Sequence, residues 1–118
     1  MNLAAIKRYC AEMPHATEDV KWGVDHVYSI GGRMFAVACQ TKTGATHLSF
    51  KVDDHRFLEY TDRPGFLPAP YMARAKWVQL ADPSQVSASE LKDMLTRAFE
   101  LVAAKLTKKQ QRAFGLIE

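Results

Sequence analysis

The sequence predicts an α+β fold, an antiparallel sheet with helices packed on one face in a two-layer sandwich. Three observations predict it. Apolar residues recur at helical spacing at both ends of the chain, they alternate with period two through the middle, and glycine or proline clusters punctuate the changes. The composition suits such a domain: 118 residues, 47% apolar and 25% charged, enough for one core and one unit over 1–118.

Leu3, Ile6, Cys10 and Met13 mark a short amphipathic first helix, with Asn2 as its cap and Pro14 as its stop. From Thr17 the period becomes two, until Gly23-Val24-Asp25 interrupts it. Val27 to Ile30 and Arg33 to Gln40 flank Gly31-Gly32, a pair suited to the positive φ values of a tight hairpin. A second break, Thr41 to Gly44, leads into a strand from Ala45 to Val52. Strict alternation across these turns sets Tyr28 opposite Phe35, Phe35 opposite Phe50 and Val37 opposite Leu48. Tyr28, Ile30, Phe35, Val37, Cys39, Leu48, Phe50 and Val52 then form the core face. Ser29, Met34, Ala36, Ala38, His47, Ser49 and Lys51 form a second, small and mixed-polar face, either solvated or used to contact something flat.

Asp53 is placed to cap a short helix through Phe57 and Leu58. Asp62 to Tyr71 carries three prolines and a glycine and reads as a stiff loop. Ala75 to Leu80 reads as another strand. The last long helix has the fullest signature: Ser87 and Glu90 as a capping box, Val86 and Leu91 as a staple, and apolar residues from Leu91 to Leu106 in a roughly 160° arc at about 100° per residue. Thr107 and Gln110 repeat the box before a short basic helix that Gly115 ends.

Several chemistries lack their residues. His15, His26, His47 and His55 stand apart, and Cys10 and Cys39 form no CxxC, so no metal site or cofactor is expected. Cys39, on the expected core face, reads as a small hydrophobe. Glu18-Asp19 and Asp53-Asp54 do not make an acid–base couple, and no phosphate-binding loop is present, so catalysis is not expected. No apolar run approaches the roughly 20 residues of a membrane span. The first eight residues do not resemble a secretory leader, and the thiols suit a reducing, cytoplasmic setting.

The charge is +3, and its surplus lies in the second half: residues 61–118 carry nine basic and six acidic side chains. Two acid-free stretches, Arg63 to Lys76 and Lys105 to Arg112, can form basic patches. Trp22, Tyr71 and Trp77 lie beside Lys21, Arg74 and Lys76, a mixture able to stack bases or to contact sugar-phosphate, although spacing alone favours Trp22 and Trp77 as edge-of-core residues whose charged neighbours are solvated.

Motifs in order along the chain carry a family resemblance. They are Pro14 to Gly23, Gly32 to Ala36, Leu48 to Val52, Arg63-Pro64-Gly65, Pro68-Ala69-Pro70-Tyr71 and Ala75 to Val78. The chain resembles the MmcQ/YjbR family from about residue 3 to 106. That resemblance implies a frataxin/CyaY-like fold and DNA binding through a double-wing arrangement of hairpins. The acidic ridge that frataxin-like proteins use for iron has no counterpart, because Lys7 and Arg8 face a single Glu12 on the first helix. The residues suited to phosphate are Arg33, Lys42, Lys51, Arg63, Arg74 and Lys76. A reading from another class is a module for a small anionic ligand or a protein partner, with Trp22, Lys51, Pro70, Tyr71 and Trp77 lining a pocket.

Overall fold

The structure is a computed structural model, and it describes residues 1–21, 24–41 and 44–118. Helix α1 (Leu3–Ala11) begins where the Asn2 side chain accepts from the Ala5 amide at 2.8 Å. Strands β1 (Thr17–Lys21), β2 (Asp25–Ile30), β3 (Arg33–Gln40) and β4 (Thr46–Lys51) then run as a meander. A 3₁₀ turn at Asp54–Arg56 leads into α2 (Phe57–Thr61), a short β5 (Phe66–Pro68) and β6 (Trp77–Leu80). The chain closes with α3 (Ala88–Ala103) and α4 (Lys108–Ala113).

All pairings are antiparallel and the strand order is β1-β2-β3-β4-β6-β5. The expected α+β class is therefore observed. Helices α1 and α3 lie against β2 and β3 on one side of the sheet, and α3 extends over β4. At the two margins, β1 is exposed along its whole length and β5 ends on Pro68.

The register of β3 differs from simple alternation. Ser29 faces Met34 and Tyr28 faces Ala36, so Phe35 is an extra residue, a β-bulge. Phe35 and Ala36 both turn toward the helices, and every later β3 residue changes sides. Ala36 and Ala38 are fully buried opposite Phe50 and Leu48, whereas Val37 and Cys39 reach the other face beside Ser49 and His47. The expected placement of Val37 and Cys39 in the core is thus corrected, as are the pairs Tyr28–Phe35, Phe35–Phe50 and Val37–Leu48. The rest of that face stands: Tyr28, Ile30, Leu48, Phe50 and Val52 are buried with Phe35.

The bulge has a packing reason. Phe35 meets the α3 ring of Phe99 edge-on at 5.5 Å between centroids, while the small Ala36 and Ala38 leave room beneath the helices. Gly31 and Gly32 take φ of +58° and +82° at the hairpin, and Leu106 packs where a Gly31 side chain would be.

Two caps also differ from expectation. Ser87 Oγ accepts from the Glu90 amide at 3.1 Å, but the Glu90 carboxylate turns to Arg63 instead of closing the box. The Asp53 side chain makes no cap bond, because Arg97 takes both of its oxygens. The reciprocal box at Thr107 and Gln110 is complete, and Gly115 follows α4 at φ +71°.

Candidate functional site

The face of the sheet away from α1 and α3 is built by alternate residues of four strands. Asp25 on β2, Val37 and Cys39 on β3, His47, Ser49 and Lys51 on β4, and Trp77 and Gln79 on β6 occupy it. Above its β6 side runs the segment from Ala69 to Lys76. Pro68 and Pro70 stiffen this segment, the Ala69 amide donates to the Trp77 carbonyl at 3.0 Å, and Ala73–Ala75 forms a 3₁₀ turn. Tyr71 and Lys76 sit at φ +66° and +62°, left-handed geometry that non-glycine residues adopt at a cost of about 1 kcal/mol.

One cavity opens on this face, and another lies at its Arg33–Lys51–Trp77 end, where it reaches the C-terminal end of α3. A basic depression of about 260 Å³ is walled by Arg33, Arg74 and Lys105, with Lys51 and Trp77 at its base. Lys51 is buried and its Nζ donates to the Val52 carbonyl and to Asp54 Oδ1, each at 2.8 Å. Asp54 is the depression's one carboxylate. The Lys51 hydrogen bond and charge hold its carboxyl below the usual range, with further help from Lys105 and Lys76. Four cations therefore face one anion.

Beside the depression lies a larger groove of about 680 Å³. Its apolar lining comes from Met34, Val37, Pro70 and Met72, with the fully exposed Tyr71 at the rim. Its polar groups are Asp25, Cys39, His47, Ser49 and Gln79, and among the described residues that line it none is Lys or Arg. Met34 lines both cavities, which makes them neighbours. Gln79 Nε2 lies 3.1 Å from His47 Nδ1, an arrangement that leaves the proton of the neutral ring on Nε2.

Cys39 stands between Asp25 on one neighbouring strand and His47 on the other. Burial, then the hydrogen bond and charge of Asp25, push its thiol up to about 11. At neutral pH the group is a protonated thiol, opposite to what a nucleophile requires. A third cavity, of about 540 Å³ between the start of α1 and the 81–84 turn, holds Asp82, whose side chain already accepts from the Ser84 amide and hydroxyl. Among the described residues no group of three His, Cys, Asp or Glu side chains could hold a metal ion.

The structure thus brings Arg33, Lys51, Arg74 and Trp77 together in the depression, and Pro70 and Tyr71 onto the adjoining groove. Lys76 lies close by, its Nζ 5.0 Å from the centroid of the Phe57 ring. Arg63 is elsewhere. It grips Glu90 with both Nη atoms, the Nη2 contact being 3.1 Å, and covers the Phe66 ring, so its role is to tie the Asp62–Gly65 turn to α3. Lys42 and Trp22 lie outside the described residues. Lys105 completes the depression although the sequence offered it only as part of a basic run. Its signal was its place about one turn beyond Val102, which lines the same depression.

Comparison with known proteins agrees with this architecture. A solved structure of the Deinococcus radiodurans protein DR2400, with a DUF419 domain, is 25% identical and covers 97% of this chain and 88% of its own, with a TM-score of 0.84. A Pseudomonas syringae protein of known structure superposes with a TM-score of 0.72 at 17% identity, over 86% of this chain and 99% of its own. The uncharacterized protein YbdF of Escherichia coli O157:H7 is 24% identical over 108 residues, 90% of this chain and 88% of that protein. The model of the YjbR family matches residues 11–101, and the chain, with its bulged sheet and proline-stiffened loop, belongs to that family.

Proposed function

We propose that this YjbR-family chain is a non-catalytic DNA-binding protein that holds the sugar-phosphate backbone in the basic depression. The observation that carries the reading is the convergence of Arg33, Lys51, Arg74 and Lys105, from three strands or loops and a helix end, on one concavity with a single opposing carboxylate. Arginines there can take a phosphate with two parallel hydrogen bonds, and lysine supplies a point charge. Such contacts respond to the shape and charge of the backbone and carry no base sequence, so binding is weak and general. The non-catalytic reading is supported by Cys39, whose thiol stays protonated beside His47. Two thiols without a mutual bond suit a reducing compartment, and we assign the protein to the cytoplasm.

The test is titration of a labelled DNA duplex at several salt concentrations. Engagement of phosphates by Arg33, Arg74 and Lys105, with Lys51 already paired to Asp54, gives a slope of log K on log salt near −3, at roughly 0.9 per cation. Arg33→Gln and Arg74→Gln each make the slope shallower by about one. Absence of binding at low salt, or variants that leave the slope unchanged, rejects the reading. A small anionic ligand is the second reading. It is favoured by the way Lys51 and Trp77 adjoin the groove under Pro70 and Tyr71, and it would show as saturable binding of a metabolite without binding of DNA.

A further inference from the structure

We infer that the apolar groove receives an unpaired base of single-stranded DNA whose phosphate lies in the adjoining basic depression. The inference rests on the phosphate-binding reading above and adds what the groove itself selects. Met34 lines both cavities, so they are immediate neighbours, as a phosphate and its own base are within one nucleotide. Their charges sort its ends. Among the described residues the depression presents four cations, whereas the groove is lined by no Lys or Arg and includes Asp25, which repels phosphate. An anionic group is drawn to one end and an uncharged, flat body is left for the other.

The groove matches a base in shape and in chemistry. Its volume, about 680 Å³, lies within the range of roughly 300–1,000 Å³ typical of small-molecule sites. Tyr71 offers a fully exposed ring at the rim, held in left-handed geometry between Pro70 and Met72, and base–aromatic stacking tolerates any sequence. On the floor, Gln79 donates to His47 Nδ1. The His47 Nε2–H, the Gln79 carbonyl and the Ser49 hydroxyl then remain to meet donors and acceptors on a base edge. A duplex keeps its bases stacked inside, so only a base outside the stack reaches such a floor.

The experiment compares a fluorescent oligothymidine strand, a duplex containing the same strand, and thymidine monophosphate, by anisotropy and competition at low salt. The expected result is that the strand binds at least tenfold more tightly than the duplex. Tyr71→Asn, which keeps a residue tolerant of positive φ, lowers strand affinity by about tenfold, the loss of one stacked base, and leaves duplex affinity unchanged. Val37→Trp, which fills the groove from its floor, has the same selective effect. Equal affinity for strand and duplex with both variants silent overturns the inference and leaves the phosphate reading standing. Thymidine monophosphate binding as tightly as the strand also overturns it, by giving the groove to a free nucleotide. Failure of every DNA to bind overturns both readings together.

Discussion

Lys51 and Asp54 are joined across the floor of the basic depression by a 2.8 Å ion pair, with the lysine buried and the carboxylate largely exposed. The site thus holds its one buried cation already paired, and an incoming phosphate must compete with Asp54. Asp54→Asn is expected to tighten binding of a DNA strand severalfold by freeing one Lys51 donor and removing a repulsive charge. Parallel anisotropy titrations of the two proteins measure it. An unchanged or weaker affinity would show that Asp54 serves to aim Lys51 instead.

Arg63 behaves as a structural residue despite its place among the expected phosphate contacts. Its two-pronged grip on Glu90 is half exposed, so Arg63→Gln is expected to cost about 0.5–1 kcal/mol in urea unfolding. The salt slope of DNA binding stays as in the wild type. A slope reduced by one would return Arg63 to the interface.

Asp53 and Arg97 tie the end of β4 to α3 through hydrogen bonds of 3.0 and 2.8 Å. The Arg97 bonds hold the Asp53 carboxyl below its ordinary value. A carboxyl depressed in the folded state binds protons more readily when unfolded. Its contribution is therefore complete above the unfolded value near 4 and disappears as pH falls through the folded one. Arg97→Gln should lower stability by about 1 kcal/mol at pH 7, with the difference from wild type shrinking below pH 4. Urea midpoints across pH 2.5–7 test this, and a gap that widens on acidification would contradict it.

The bulge makes opposite forecasts for neighbouring residues. Ala36→Leu inserts volume into a filled core and should cost about 1–3 kcal/mol, whereas Val37→Leu faces the groove and should stay within about 0.5 kcal/mol. Strict alternation forecasts the reverse order. Chemical denaturation of the two variants decides between them.

These cases show what local pattern can and cannot carry. Period changes, the diglycine and the Thr107–Gln110 box depend on neighbours within four residues, and they appear where the sequence places them. The bulge does not, because Met34 to Cys39 are all apolar and give no contrast by which to locate an extra residue. Strand β5 hides between Pro64 and Pro68, its pairing with β6 supplied from ten or more residues away. The partners of Glu90 and Asp53 lie 27 and 44 positions distant, beyond any capping rule. The depression was partly legible as basic residues near aromatics. Its coherence depends on Lys105 and Arg33 lining one cavity, a tertiary fact.

The two rims of the sheet carry a consequence for solubility. Along β1, Glu18, Asp19 and Lys21 place charge where another chain would have to align, and at the opposite rim Pro68 withholds an amide from any newcomer. Lateral growth into fibres is discouraged at each boundary, so the open face can stay uncovered for a ligand without the ribbon recruiting copies of itself.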